Sequence, residues 1–174
     1  VLKTVTSEFV RPANRLDITT EQQVGLLCAY MEWSWADDEH VHNWCKELWN
    51  AIEIGQRTLT PYDAVFMCKT IAKANPDRGF FDRHLRYVLP LLGHMDAKQF
   101  SELLKSAAAI PGLCNDNPGP YTPRGVFPKA IVAEIPNVAY DFNFEQLTAS
   151  ISSLATLNAY DEPAMAVLLD ALQK

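Results

Sequence analysis

The sequence is poor in glycine and has no run of alternating β-branched residues. Only 7 of its 174 residues are glycine, whereas strands and hairpins need turn residues at short intervals. No apolar run approaches the roughly 18 residues of a membrane-spanning helix. These absences argue against a sheet protein and against a transmembrane helix, and they predict a helical chain.

Motifs that carry enzyme chemistry are also absent. There is no GxxxxGK[S/T] loop, no GxGxxG, no HExxH and no GxSxG. Asn115 to Gly119 has the wrong spacing for a calcium loop, and no glutamate stands at the twelfth position. His40 and His42 are two positions apart, so on a helix they point in nearly opposite directions and are not expected to share a metal ion. We therefore predict a protein that is not an enzyme, with no cofactor and no metal site.

The cysteines show neither metal-site nor disulfide patterning. No CxxC spacing occurs, no histidine stands at zinc-finger distance, and no Asn-x-Ser/Thr sequon is present. Most of the cysteines fall on predicted apolar helix faces, where a thiol behaves as a small hydrophobe. We expect reduced, buried cysteines and an intracellular or organellar compartment. The four residues are Cys28, Cys45, Cys68 and Cys114.

The charge balance disfavours a nucleic-acid partner. The net charge is −6, and residues 1–57 carry five basic side chains against nine acids. No stretch forms the basic stripe that neutralises phosphates.

The sequence opens at Val1, as expected either after removal of a targeting sequence or for a shortened chain.

Four short segments share the pattern that begins a helix. In each, an apolar residue precedes a side chain that can cap backbone N–H groups, and an acid or amide follows three residues after the cap. The caps lie 41, 36 and 47 residues apart, a spacing typical of stacked helix pairs. The cap and its third residue are Thr19 and Gln22, Thr60 and Asp63, Asp96 and Gln99, and Asn143 and Gln146.

Apolar residues recur at helical spacing after each cap and again after each break. We predict an all-α fold, an array of about four antiparallel helical hairpins. Residues 1–17 are predicted to form an N-terminal arm and residues 18–174 a single helical-repeat domain. Residues 111–123 are predicted to be irregular, and the helix after them to stop at Pro136. The stripes occupy residues 24–31, 41–52, 65–72, 81–92, 100–108, 127–131, 147–155 and 165–172.

Aromatic residues supply the candidate binding sites. Trp44 and Trp49 fall on an apolar stripe and are predicted to lie in the core. Trp33 and Trp35 straddle the end of the first helix and cannot share one face, so at least one is expected at the surface, against a partner protein. Tyr121 lies in the proline-rich segment, where a stiff chain lowers the entropy cost of docking. Trp33, Trp35 and Tyr121 are the predicted partner-binding residues.

The last helix pair resembles the pentatricopeptide repeat. The whole array resembles this repeat loosely, over about 150 residues, and the last unit resembles it specifically, over about 37 residues. It implies a solenoid of helical hairpins, and members of this family usually bind single-stranded organellar RNA through polar residues on their first helices. The matching residues are Pro136-Asn137-Val138, Asn143, Leu147, Ile151 and Asp161-x-x-Ala164.

In size, acidity, helical plan and lack of catalytic motifs, the chain is also similar to a family of small pentatricopeptide-like subunits. These decorate the catalytic head of the mitochondrial ATP synthase in euglenozoan protists. The resemblance implies a non-catalytic structural subunit on the matrix side of an inner-membrane complex, without direct membrane insertion. It would bind the outer face of an alpha subunit and hold no nucleotide or other small-molecule substrate. The alternative is an organellar RNA-binding repeat protein, against which the negative charge argues.

Overall fold

The computed structural model describes residues 19–34, 49–50, 59–74, 78–110, 113 and 123–174. Helices dominate these residues, and no strand occurs among them. The predicted all-α class is confirmed. The α-helices are α1 (Thr20–Ser34), α2 (Pro61–Ala74), α3 (Arg78–Val88), α4 (Ala97–Ala108), α5 (Pro123–Val138), α6 (Phe144–Thr156) and α7 (Glu162–Leu172), and two 3-10 helices span Leu89–His94 and Ala139–Asp141.

The chain divides into two compact units, Val1–Leu59 and Thr60–Lys174. In the first unit, α1 buries the predicted stripe of Val24, Leu27, Cys28 and Met31. Trp49 is fully buried, which confirms its predicted place in a core. Trp44 and the predicted arm, residues 1–17, lie outside the described residues, and the single domain over residues 18–174 stays a prediction.

All four predicted helix starts are capping boxes. In α4, the Asp96 carboxylate accepts the Gln99 backbone N–H at 2.7 Å, and the Gln99 side chain accepts the Asp96 N–H at 3.1 Å. Asn143 and Gln146 make the same reciprocal pair at 2.9 Å each. Satisfying these donors stabilises each helix where it leaves the preceding turn. The pairs Thr19 with Gln22 and Thr60 with Asp63 repeat the arrangement.

We expect Asn143→Ala to lower the free energy of unfolding by about 1 kcal/mol, because alanine cannot accept the Gln146 N–H. Urea unfolding followed by far-UV ellipticity measures the change. Thr148→Ala is the matched control, since that exposed hydroxyl bonds only to carbonyls of its own helix, and it should stay within about 0.5 kcal/mol of the parent. Equal effects from the two substitutions would contradict the capping role.

The second unit contains two rows of helices. α4 packs between α2 and α6, and α5 packs between α3 and α7. The rows are joined where α2 packs on α3 and α6 on α7, and α5 also packs on the 3-10 helix Leu89–His94. One helix of each successive pair therefore lies in each row.

Aromatic residues fill the space between neighbouring helices of a row. Phe81 of α3 meets Phe127 of α5 edge to face, with ring centroids 6.3 Å apart. Phe100 of α4 lies 6.4 Å from Phe142, the residue that precedes the cap of α6. Phe81, Phe100 and Phe127 are each at most 2% exposed. Such pairs contribute both apolar burial and preferred ring geometry to the packing of each row.

The predicted stop at Pro136 is wrong, because α5 continues to Val138. Proline has no N–H to donate to the carbonyl of Val132, a loss that normally ends a helix. Here Pro136 lies on the exposed side of the last turn, while Ile135 and Val138 are buried. Burial of these two side chains offsets the missing hydrogen bond.

Two further predictions about helix faces need correction. Residues 81–92 do not form one helix: α3 ends at Val88, and a 3-10 helix follows in which Pro90 occupies the opening turn. In the last pair, Leu169 is 51% exposed and Ala155 is also exposed, although both lie on predicted inward stripes. Ser150 is buried on α6 instead. Helical spacing marks an apolar side, but the neighbours that are present decide how much of it is covered.

Candidate functional site

A groove of about 560 Å³ runs between α2 and α4 in the first row of helices. α2 supplies an apolar and aromatic wall, and the first turns of α4 supply polar and charged side chains. The capping boxes position both walls, because they fix where each helix begins. The lining residues are Tyr62, Val65, Phe66, Lys69, Asp96, Lys98, Gln99 and Glu102.

A stacked aromatic pair forms the wall on α2. Tyr62 and Phe66 are four residues apart on one side of the helix, and their rings are nearly parallel and offset, with centroids 6.2 Å apart and an interplanar angle of 13°. Tyr62 is 64% exposed, whereas Val65 beside it is buried. An exposed, preordered aromatic surface of this kind loses little entropy when another molecule covers it.

A ladder of ion pairs crosses the same row of helices. Lys69 of α2 lies 3.7 Å from Glu102 of α4, Glu102 lies 3.8 Å from Lys105, and Lys105 lies 3.8 Å from Glu145 of α6. All of these side chains are at least a third exposed, so each pair adds little to stability. These ion pairs neutralise the charges of Lys69 and Lys105 on this surface.

Lys98 differs from these lysines. It is exposed in the first turn of α4 and makes no ion pair with any residue in the described part of the chain. The neighbouring polar groups of Asp96 and Gln99 are occupied by their capping box. The groove therefore presents an aromatic wall and, in the first turn of α4, a lysine that makes no ion pair within the described part of the chain.

A second groove, of about 680 Å³, lies between α5 and the connection from α6 to α7. Its walls include Pro128, Val132 and Pro136 on α5, with Tyr160 opposite at 76% exposure. Asn158 in this connection has φ +49°, a left-handed conformation that asparagine tolerates better than most residues. Its lining is mainly apolar and carries one lysine and one aspartate, Lys129 and Asp161; the Asp161 carboxylate caps α7 at 3.1 Å from the Ala164 N–H.

The described cysteines are packing residues. Cys28 and Cys68 are buried and reduced, as predicted, and Cys45 and Cys114 lie outside the described residues. Burial raises the pKa of the Cys68 thiol to about 12, so the nucleophilic thiolate does not form near neutral pH. The groove between α2 and α4 contains no cysteine, serine or histidine.

The structure leaves the predicted partner-binding residues as predictions. Trp33 belongs to α1, but its side chain is not among the described parts of the chain. Trp35 and Tyr121 lie wholly outside the described residues. His40, His42 and the segment from Asn115 to Gly119 also lie outside. The described residues bring together a different pair, Tyr62 and Phe66, which sequence reasoning missed. The signal was available, since two aromatic residues four apart lie off the predicted stripe of α2.

Over the described ranges, no group of three or more histidine, cysteine, aspartate or glutamate side chains is arranged to hold a metal ion. None of the helices in that part of the chain combines the length and apolar character needed to cross a bilayer. No protein-family model matches the chain, and neither a curated protein nor a solved structure matches it.

Proposed function

We propose that the chain is a non-catalytic subunit of a larger protein assembly, and that the groove between α2 and α4 contacts its partner. The observation that carries this proposal is the exposed Tyr62–Phe66 stack beside Lys98. Aromatic side chains are enriched at protein contacts and often dominate their binding energy. We expect the partner to place an apolar side chain against the rings and an acidic group near Lys98.

The two rows are proposed to form an array of antiparallel hairpins of the pentatricopeptide-like kind. The repeated capping boxes and the contacts α2–α4–α6 and α3–α5–α7 support this arrangement. The pair α4 and α5 departs from it, because α5 packs on α3 and the 3-10 helix rather than closely on α4. An array of this kind exposes a long surface along each row, suited to a large partner.

The assembly is proposed to be the mitochondrial ATP synthase, with the chain on the outer face of an alpha subunit in the matrix. The basis is the resemblance in size, acidity and helical plan to the euglenozoan head subunits. Trp33, Trp35 and Tyr121 remain predicted second anchors for the same partner. The chain would then hold neither nucleotide nor cofactor of its own.

RNA binding is the second candidate, and one observation favours it. Single-stranded nucleic acids bind where aromatic rings stack on bases beside lysines, and the groove contains Tyr62, Phe66 and Lys98. Against it, Lys69 and Lys105 are paired with Glu102 and Glu145. With a net charge of −6, little favourable counterion release is expected.

We expect Tyr62→Glu to reduce retention of the ATP synthase alpha subunit by the tagged chain at least about tenfold, because it removes the ring stack and adds an acid to the contact. An acid in the first turn of α2 is compatible with the helix. Tyr160→Glu is the matched control, since Tyr160 is 76% exposed and lines the other groove. The measurement is quantitative co-purification at high salt.

The possible results separate the two candidates. Loss of the alpha subunit with Tyr62→Glu but not with Tyr160→Glu supports the groove. Absence of ATP synthase subunits from the wild-type sample would overturn the assignment to that complex. Micromolar binding of a mixed-sequence single-stranded RNA in an anisotropy titration, with a steep salt dependence, would favour the alternative.

A further inference from the structure

The contact between α4 and α6 contains two buried serines. Ser101 of α4 and Ser150 of α6 are at most 1% exposed, and neither Oγ has a hydrogen-bond partner among the described residues. Ser101 lies one turn before Lys105, which pairs with Glu145 of α6, so it belongs to the flank of α4 that faces α6. Ser150 lies one turn after Gln146, which lines a groove together with the first turn of α4. The two hydroxyls are therefore on facing flanks.

The preceding contact in the same row, between α2 and α4, is apolar at the matching positions. Val65 stands five residues after the cap of α2, as Ser101 does after the cap of α4. Leu103 stands seven residues after the cap of α4, as Ser150 does after the cap of α6. Val65 and Leu103 are both buried, so two hydroxyls take the place of two aliphatic side chains. Because a buried hydroxyl without a partner is unfavourable, the contact between α4 and α6 is the weaker of the two.

In the second row, α7 leaves a gap against α5 at one end. The groove of about 680 Å³ described above lies there, between α5 and the connection from α6 to α7. Pro128 and Val132 of α5 form one wall, and Tyr160 and Pro163 belong to the other. Farther along α7, Leu168 is fully buried. The second row is therefore closed along the body of α7 and open where α7 begins.

The opposite end of the α6–α7 pair is held by side-chain contacts in both rows. The Tyr140 hydroxyl, which follows α5, donates to the Asp170 carboxylate in the last turns of α7 at 2.9 Å. Lys174 lies over the Tyr140 ring, 4.2 Å from its centroid. At the start of α6, Phe142 packs against Phe100 of α4 with ring centroids 6.4 Å apart. We call the start of α6 and the end of α7 together the hinge end of the pair.

We propose that α6 and α7 swing as one body about the hinge end, so that the groove lined by Tyr160 opens and closes. The two helices pack on each other, and the 3-10 helix Ala139–Asp141, which joins α5 to α6, is the segment that absorbs the rotation. The swing separates Ser101 from Ser150 in the first row and widens the gap in the second. Both weak points lie away from the hinge end, as a swing about that end requires. The motion involves no partner and is independent of the proposed function.

Distances between spin labels, measured by double electron–electron resonance on the full chain, test the proposal. Labels attached to p-acetylphenylalanine leave the native cysteines untouched. One pair, at Lys73 and Thr156, joins the last turns of α2 and α6, and the other, at Tyr62 and Glu145, joins their first turns. Each pair spans two helix spacings, about 16–20 Å between axes. We expect the distance distribution of the Lys73–Thr156 pair to be at least about twice as wide as that of the Tyr62–Glu145 pair.

The serines are tested by substitution in the doubly labelled chain. Ser101→Ala with Ser150→Ala removes both hydroxyls and should narrow the wide distribution by at least about half, because the closed arrangement gains stability. Ser101→Val with Ser150→Leu restores the aliphatic pair found between α2 and α4 and should narrow it as well. Ser152→Ala is the control, since it gives the same gain in helix propensity at an exposed site on α6.

Three results would each overturn the proposal. The first is equal widths for the two label pairs in the wild-type chain, which would mean that α6 moves no more at its end than at its start. The second is a wild-type width in both double variants, which would remove the serines as the cause of the motion. The third is equal narrowing by Ser152→Ala, which would assign the motion to fraying of α6. A wide distribution that narrows in the double variants and not in Ser152→Ala supports the swing.

Discussion

Phe100→Ala should lower the free energy of unfolding by about 3–5 kcal/mol, the cost of removing a fully buried aromatic ring. Phe100 is 0% exposed and lies in the middle helix of the first row, where α4 contacts both α2 and α6. Its ring also packs against Phe142 at 6.4 Å. The substitution opens a cavity at the point where the start of α6 rests on α4. Since small domains have only about 5–15 kcal/mol of stability, the loss should be large.

Urea unfolding followed by ellipticity at the helix band measures this loss. All four tryptophans lie within residues 33–49, in the first unit, so tryptophan fluorescence does not follow the core around Phe100 directly. Phe144→Ala is the matched control, because it removes the same ring from a site that is 73% exposed. The Phe144→Ala substitution should change the free energy of unfolding by no more than about 0.5 kcal/mol. Similar costs for the two alanine substitutions would contradict the proposed central packing role of Phe100.

The helix starts could be predicted from sequence because capping is local. The partners in each box are three residues apart, and a short pattern contains both of them, as with Asp96 and Gln99 or Asn143 and Gln146. The helix ends were harder to predict. Pro136 carries a strong local stop signal, but burial of Ile135 and Val138 keeps α5 helical past it. Tertiary packing of this kind does not appear in a window of a few residues.

The faces of the helices were predictable where neighbours exist on both sides. Leu103 and Leu104 of α4 lie on the predicted stripe and are fully buried. On α7, which ends its row in the described structure, Leu168 is buried but Leu169 on the same predicted stripe is 51% exposed. Periodicity identifies which residues are apolar on one side, but not whether a further helix covers them.

Helical periodicity does not reveal the candidate groove, because it identifies only the residues on the inward stripe of each helix. Tyr62 and Phe66 lie beside the stripe of α2, at a spacing that stacks their rings. Phe144 likewise follows its cap directly and lies off the inward side of α6. Large aromatic residues outside the predicted core face are not explained by packing of the core. In a chain without catalytic motifs, such residues are the best sequence signal for a contact surface.

Acidification should destabilise the protein through His84, by about 3 kcal/mol between pH 7 and pH 4. His84 is fully buried, and its Nε2–H donates to the Ala64 carbonyl at 2.8 Å, joining α3 to α2. Burial lowers the pKa of His84 from 6.5 to about 4, an effect that the hydrogen bond to Ala64 only partly opposes. As pH falls through 6.5, the unfolded chain binds a proton at this residue and the folded protein does not. The contribution of His84 to stability is therefore intact above pH 6.5, declines between 6.5 and about 4, and changes no further below.

His84→Gln isolates this effect, because a glutamine amide keeps an N–H donor for the Ala64 carbonyl and does not titrate. Carboxylates elsewhere contribute equally to the acid response of both proteins, so the difference between their unfolding free energies at each pH reports His84 alone. We expect the variant to be less stable than the parent at pH 7, owing to imperfect packing, and to lose about 3 kcal/mol less than the parent on going to pH 4. Parallel stability curves for the two proteins between pH 7 and pH 4 would show that His84 is protonated as readily in the folded state as in the unfolded chain, contrary to its burial between α2 and α3.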